Sequence, residues 1–165
     1  MFIAGLFILC IPFRANAITE HVFYVSQNDY HVRELYYNGR WWGNDLTAAT
    51  KGPIAGYEAL TSFWDGHVEH VFYISQPDCH VRELYYNGRW WGNDLTAATN
   101  SVAAYFNVLT CFFDGQIEHV FYISQNDFHV RELYYYNGRW RSNDLTVDTN
   151  SPAAIPAAVT SFVTP

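Results

Sequence analysis

Short apolar segments separated by turn-forming residues recur along this chain. Residues 21–25 and 31–37 are rich in β-branched and aromatic side chains, and residues 26–29 between them have the composition of a turn. Both segments carry apolar residues on both faces, as the neighbours Val22 and Phe23 illustrate. Strands of this kind belong in the middle of a stack of sheets, because neither face is suited to solvent.

Two further strands follow in the same unit. Asn38-Gly39 is a strong hairpin signal and predicts a turn into a third strand at residues 40–42. A linker of small residues, 48–56, then leads to a fourth apolar segment at residues 59–64, which Asp65-Gly66 closes. The pattern therefore predicts four short strands in one unit.

The unit occurs three times, starting at Glu20, Glu69 and Glu118, which are 49 residues apart. The only change of length is one extra Tyr in the run Tyr134-Tyr135-Tyr136. Four short strands in a tandem repeat of this length describe a propeller blade. We therefore predict an all-β fold, a β-propeller with three four-stranded blades per chain, over residues 18–165.

The two ends of the repeat array are complementary. The pattern of residues 59–64, which we count as the first strand of the following blade, returns at residues 108–113 and again at 158–163. No blade follows the last of these segments, while the first unit has no recognisable first strand. Closed propellers have about four to eight blades, so three are too few. The sequence predicts a homodimer that closes a six-bladed ring, each C-terminal strand completing the partner's first blade. A chain that belongs to a longer blade array is the alternative.

Residues 1–17 do not match the repeat. An apolar run at residues 1–13, too short to span a bilayer comfortably, precedes Ala15-Asn16-Ala17, an A-x-A cleavage pattern. These features predict a secretory signal, hence a secreted protein without membrane insertion, although the run has no preceding Lys or Arg. The alternative is that residues 7–13 form a degenerate strand of the first unit.

Composition and charge exclude some partners. Half of the residues are hydrophobic and 19% are aromatic, which is ample for a core. The net charge of −7 argues against nucleic acid and against an anchor on acidic lipids. Cys79 and Cys111 occupy non-equivalent repeat positions, so they are expected to be small core residues, with a bridge between them left open.

The turn at residues 26–29 places candidate site residues on the two faces of a blade. Symmetric pairing about it puts His21 opposite Glu34 and Phe23 opposite Val32, while Tyr37 points to the other face. Pro77 in the second unit could move the turn centre by one residue, which would keep the corresponding His and Glu on one face. Stacked blades then bring the His/Glu pair of one blade towards the Tyr of the next.

A carboxylate with a neighbouring donor, facing an aromatic ring, suits a sugar. The carboxylate accepts hydrogen bonds from hydroxyls, and the ring face receives C–H groups. The alternative is that these recurring residues are satisfied core polar groups and blade packing, in a structural or protein-binding propeller without sugar affinity.

Catalysis, metal and cofactor are not predicted. Nothing breaks the repeat to build a single special site of the kind that a glycosidase needs. His31 and Glu34, three positions apart on a strand, face opposite ways and are not expected to share a metal. Asp29 and Asp45 are expected to form turns.

The order H-V-F-Y … H-V-R-E-L-Y-Y-N-G-R-W resembles the blade of the Aleuria-type fucose-binding lectins and their short bacterial relatives. In that family the sugar lies between adjacent blades, held by Arg and Glu of one blade and two aromatics of the next. The family includes two-repeat chains that trimerise into six blades. The resemblance implies a multivalent, non-catalytic lectin for glycans or glycoconjugates, with fucose-like sugars favoured.

By position, the resemblance assigns twelve sugar-binding residues. Each blade supplies a His where the family has Arg, the Glu, and two aromatics: His21, Glu34, Tyr37, Trp41; His70, Glu83, Tyr86, Trp90; and His119, Glu132, Tyr135, Trp140. His offers fewer donors than the Arg fork, so sugar binding is expected while the identity of the sugar is left open. The third pocket, with His119 and Glu132 facing Tyr37 and Trp41, would cross the subunit boundary.

Overall fold

The structure is a computed structural model that describes residues 19–164, except for the side chains at positions 57 and 58. The predicted secretory signal at residues 1–17, and the alternative strand at 7–13, lie outside the described residues and stay predictions.

The described chain alternates strands with three short helices. In order the elements are β1 (Glu20–Val25), β2 (Val32–Tyr37), β3 (Trp41–Asp45), α1 (Leu46–Thr50), β4 (Ala55–Trp64), β5 (Glu69–Ser75), β6 (Val81–Tyr86), β7 (Trp90–Asp94), α2 (Leu95–Thr99), β8 (Ala104–Phe113), β9 (Glu118–Ser124), β10 (Val130–Tyr136), β11 (Arg139–Asp144) and α3 (Leu145–Asp148).

The strands form three antiparallel sheets, one for each repeat. Blade 1 has the order β1-β2-β3, blade 2 the order β4-β5-β6-β7, and blade 3 the order β8-β9-β10-β11. The all-β prediction is confirmed. Blades 2 and 3 have the predicted four strands, while blade 1 has three within the described residues, so a fourth strand for blade 1 stays a prediction.

The predicted register between the first two strands of a unit is wrong by two residues. Phe23 lies opposite Glu34, and His21 lies opposite Tyr36. The six residues between β1 and β2 form one closed loop, in which the backbone N–H of Ser26 donates to the carbonyl of His31 and Tyr30 takes a positive φ of 57°. This loop moves the turn centre by one residue, so His21 and Glu34 still share a face.

The extra Tyr of the third repeat is absorbed in its hairpin. In blades 1 and 2 the turn between the two paired aromatic residues contains three residues, as between Tyr37 and Trp41. In blade 3 the extra Tyr136 pairs with Arg139. This leaves a two-residue turn in which both Asn137 and Gly138 have positive φ, as a tight hairpin requires. Trp140 therefore stays opposite Tyr135.

Each blade ends in one helical turn that the sequence did not predict. Asp45 lies at the end of β3, and its carboxylate accepts a hydrogen bond from the backbone N–H of Ala48 at 2.9 Å, capping α1. Leu46 is fully buried. The third strand is accordingly longer than predicted, because it runs through Asn44 to Asp45 before this turn begins. In the described part of the chain no helix is long and apolar enough to span a membrane.

The core lies between blades rather than within them. One buried cluster joins blades 1 and 2 through Val32, Val71, Tyr73 and Leu84, among others. A second joins blades 2 and 3. Strands apolar on both faces are therefore buried on both, as expected from the sequence.

The first blade has one apolar face uncovered. Val22, Tyr24 and Leu35 are 49%, 40% and 38% exposed, whereas their counterparts Val71, Tyr73 and Leu84 in blade 2 are at most 1% exposed. The corresponding residues of blade 3 are fully buried as well. Identical side chains differ in burial because blades 2 and 3 each have a preceding blade to cover this face.

The C-terminal segment at residues 158–163, predicted as a strand, is not one in this chain. It nevertheless lies beside β8, since the hydroxyl of Thr110 is 3.0 Å from that of Ser161. The equivalent pair one repeat earlier, Thr61 and Cys111, joins β4 to β8 at 3.1 Å. The segment thus lies beside β8 as β8 lies beside β4, but it pairs with no described strand.

The two described cysteines, Cys79 and Cys111, are free. Cys79 is buried in the core between blades 2 and 3, and Cys111 packs against that core. Their predicted role as core residues is confirmed, and they form no bridge with each other.

Candidate functional site

Two equivalent cavities open between adjacent blades. The first pocket, of about 250 Å³, lies between blades 1 and 2 and is lined by Thr19, His21, Glu34, Tyr36, Asn38, Asn44, Glu69, Tyr86 and Trp90. The second pocket, of about 230 Å³, lies between blades 2 and 3 and is lined by Asp65, Val68, His70, Glu83, Tyr85, Asn87, Asn93, Glu118, Tyr135 and Trp140. Each brings together the His and Glu of one blade with the Tyr and Trp of the next.

Strand geometry explains this meeting. His21 and Glu34 project from one face of blade 1, and Tyr86 and Trp90 from the opposite face of the next sheet. Tyr86 and Trp90 are directly opposed across β6 and β7, and their ring centroids are 5.5 Å apart. The two rings form the aromatic wall of the first pocket.

The glutamate of each pocket is buried and held from two sides. Glu83 is 3% exposed. His70 Nδ1 donates to one of its carboxylate oxygens at 2.8 Å, and the side-chain amide of Asn93 donates to the other at 2.7 Å. Glu34 is bound in the same way by His21 and Asn44. These bonds fix the carboxylate in orientation while leaving acceptor capacity on both oxygens.

The third predicted pocket is not assembled within one chain. His119 Nδ1 contacts Glu132 at 2.7 Å, and Asn143 completes the pair as in the other blades. Its predicted aromatic partners, Tyr37 and Trp41, lie on the uncovered face of blade 1 and are 36% and 52% exposed. The crossing of this pocket between subunits therefore stays a prediction.

Sequence reasoning missed a second carboxylate in each pocket. Glu69 Oε2 lies 3.3 Å from His21 Nδ1, and Glu118 Oε2 lies 3.4 Å from His70 Nδ1. Each comes from the blade that supplies the aromatics, where it is the first residue of the repeat. Its position on the face of Trp90 or Trp140 could have been read from strand alternation, because it directly precedes the pocket His of its own strand and so points to the opposite face.

The surroundings of the second carboxylate disfavour its ionised form and raise its pKa. Burial raises the pKa of Glu118 to about 7, and the charges of Glu83 and Asp65 act in the same direction, against the lowering effect of His70. Burial likewise raises the pKa of Glu69, and the neighbouring carboxylate of Glu34 acts in the same direction, against the lowering effect of the charge of His21. For His70, burial lowers the pKa, but the hydrogen bond to Glu83 and the charges of the surrounding carboxylates outweigh it and raise the pKa.

Some polar atoms in these pockets have no hydrogen-bond partner. They are Glu69 Oε2, His70 Nε2 and Glu118 Oε2, all buried. His70 Nε2 has Asp65 as its nearest acid, at 3.5 Å. Buried polar atoms without partners are rare in folded proteins, and at a cavity they mark positions that a ligand can satisfy.

The His/Asp clusters at the loop ends have a structural role. His31 contacts Asp45 at 2.9 Å, and Arg33 binds Asp29 at 2.6 Å and Asp45 at 3.1 Å. Asp29 also accepts from the backbone N–H of His31, and Asp45 caps α1. The prediction that both aspartates form turns is confirmed, with Arg33 balancing their charge.

Comparisons with known proteins point to fucose lectins. A family model described as fungal fucose-specific lectin matches residues 12–164. A fucose lectin from Kordia zhangzhouensis, solved with methyl-fucoside, superposes with a TM-score of 0.56 at 19% identity, over 76% of this chain and 89% of that one.

A second solved structure extends the comparison. An arginine-to-alanine mutant of AofleA from Arthrobotrys oligospora superposes with a TM-score of 0.50 at 20% identity, over 76% of this chain and 44% of that one. This chain thus matches less than half of the Arthrobotrys chain. No sequence among the curated proteins matches.

Proposed function

Because the chain belongs to the fungal fucose-specific lectin family, we propose that it is a non-catalytic lectin that binds sugars between its blades. The observation that carries this proposal is the repeated pocket, in which a buried, oriented glutamate faces a Tyr/Trp wall. The repetition of the whole arrangement favours several equal sites over one special site, and so favours multivalent binding to glycans or glycoconjugates.

A bound sugar would use the two sides of the pocket differently. Glu34 or Glu83 accepts hydrogen bonds from hydroxyls, since each carboxylate keeps free acceptor positions. The rings of Tyr86 and Trp90, or of Tyr135 and Trp140, receive the C–H side of the sugar. Fucose-like sugars fit this division, and the superposed protein from Kordia zhangzhouensis is a fucose lectin in complex with methyl-fucoside.

We also propose that two copies close a six-bladed ring. A groove of about 710 Å³ runs between β1 and β4, lined by Thr19, His21, Phe23, Ser62, Phe63, Trp64 and Glu69. We call it the seam groove. It lies next to the edge of β1 that pairs with no described strand, at the position that β4 and β8 occupy in blades 2 and 3. Residues 158–163 of a second copy are a strand-one sequence without a partner, and so fit it.

The register of blades 2 and 3 indicates how that segment would lie. Phe63 pairs with His70 and Phe112 with His119, and their rings are 5.0 Å and 4.7 Å apart. The equivalent residue of the C-terminal segment is Phe162, which is 78% exposed. In the ring it would lie over His21 of the other copy, and the third pocket, with Tyr37 and Trp41, would form across the seam.

Glycan binding tests the proposed function. We expect the intact protein to bind fucosylated glycans on an array, and a variant with Glu34, Glu83 and Glu132 all changed to Gln to lose that binding. Removing the charged acceptor of a hydroxyl costs on the order of 1.5–3 kcal/mol per site. Calorimetric titration of a monovalent fucoside gives the per-site change.

The control is Asp148→Asn, which removes one charge from an exposed helix residue. Thermal unfolding checks that the Gln variant folds. If the intact protein bound no glycan, a structural or protein-binding propeller would replace this proposal. If the Gln variant bound as tightly as the intact protein, the site assignment would be wrong.

A further inference from the structure

The pockets hold more negative charge than a neutral sugar needs. Asp65, Glu83 and Glu118 surround the single histidine His70 in the second pocket, and neither Lys nor Arg is among the described residues that line it. In the first pocket, Glu34 and Glu69 surround His21. An ionised carboxylate left unpaired in a buried site is costly, so a ligand that supplies a cation is favoured there.

In each pocket one carboxylate has its hydrogen bonds satisfied and the other has an oxygen without a hydrogen-bond partner. Glu83 is satisfied by His70 and Asn93, but the buried Glu118 Oε2 has no hydrogen-bond partner. The same holds for Glu69 Oε2 in the first pocket. Glu69 is directly opposite Tyr86 and Glu118 is directly opposite Tyr135 in the sheet, so each lies on the face that carries the aromatic wall, and ring faces also attract cations.

We propose that Glu69 and Glu118 determine specificity, making these pockets selective for sugars in which a protonated amine replaces a ring hydroxyl. The ammonium group bridges the two carboxylates of a pocket, Glu34 with Glu69 or Glu83 with Glu118. This inference rests on the proposed lectin function and names the class of sugar within it.

A neutral sugar meets a different requirement in the same place. A hydroxyl between two ionised carboxylates can donate to only one of them, so Glu118 must take up a proton to serve as a donor. Burial, together with the charges of Glu83 and Asp65, opposes ionisation of Glu118 and outweighs the effect of His70, which places its pKa at about 7. Neutral sugars therefore bind better below that pH, while an ammonium group stabilises the ionised form.

The experiment is calorimetric titration of the intact protein with three kinds of probe. These are methyl fucoside, a panel in which each ring hydroxyl is replaced in turn by an amine, and the N-acetylated forms of that panel. We expect at least one amine probe to bind about tenfold or more tightly than both its N-acetyl form and methyl fucoside at pH 8. Because the Glu118 pKa is about 7, the affinity for methyl fucoside should rise about tenfold from pH 8 to pH 6.

The triple variant Glu20→Gln, Glu69→Gln and Glu118→Gln tests the assigned residues, because Glu20 is the first residue of the repeat that would supply Tyr37 and Trp41 to the third pocket. We expect it to lose the preference for the amine and the pH dependence for methyl fucoside, whereas Asp148→Asn keeps both. If methyl fucoside bound at pH 8 as tightly as every amine probe, the inference would be overturned while the lectin function stood. If no probe bound at any pH, the lectin function itself would fall.

Discussion

The substitution Phe162→Asp is expected to convert the proposed dimer into a monomer without unfolding the chain. Phe162 is 78% exposed within one chain, so its replacement removes no contact of consequence there. In the closed ring it would lie in the seam groove over His21, as Phe63 lies over His70. Burial of a Phe contributes about 1.5–3 kcal/mol, and a buried unpaired carboxylate costs more.

Each of the two seams would lose this contribution, so the dissociation constant should rise by at least about a hundredfold. Light scattering coupled to gel filtration measures the outcome. The intact chain should run at twice the mass of one protomer, and the variant at the mass of one.

Ile155→Asp is the matched control for this experiment. Ile155 is 77% exposed and precedes the strand-like segment, so the same change of chemistry should leave the dimer intact. An intact chain that ran as a stable monomer would contradict the ring. So would equal dissociation of the dimer by both substitutions.

The architecture could be predicted from the sequence because it depends on periodicity. The repeats starting at Glu20, Glu69 and Glu118 defined three sheets, and strands apolar on both faces implied that blades stack. Strand alternation then placed His21 and Glu34 on one face and Tyr37 on the other, and it is insensitive to a register shift of two residues.

The exact pairing could not be predicted, because it depends on the conformation of one loop. The positive φ of Tyr30, Cys79 and Phe128 closes that loop in each blade, and three such different side chains carry no common signal for it. With the register shifted by two residues, Glu69 and Glu118 were not placed directly opposite Tyr86 and Tyr135, so they were not recognised as pocket residues. The helix N-cap at Asp45 was not predicted either, because α1 is only five residues long and has no acidic residue in its first turn.

Burial was the other property that the sequence could not supply. Leu35 and Leu84 occupy the same place in an identical local sequence, yet one is 38% exposed and the other 1%. The difference comes from position in the array, because blade 1 covers this face of blade 2, whereas no described blade precedes blade 1. A repeat protein therefore offers a matched pair of substitutions that separates local structure from stacking.

Leu84→Ala is expected to lower the free energy of unfolding by about 2–5 kcal/mol, since it leaves a cavity in the core between blades 1 and 2. Leu35→Ala should cost less than about 1 kcal/mol when both are measured in the monomeric Phe162→Asp background, because the side chain is partly in solvent there. Urea denaturation followed by tryptophan fluorescence gives both values.

In the proposed dimer the costs of the two substitutions to the free energy of unfolding should become similar. Blade 3 of the partner would cover Leu35 as blade 1 covers Leu84, so Leu35→Ala should then weaken the dimer and lower its stability by a similar amount. Equal costs in the monomer would mean that the face of blade 1 is already covered within one chain. A small cost of Leu35→Ala in the dimer would mean that the ring does not close against that face.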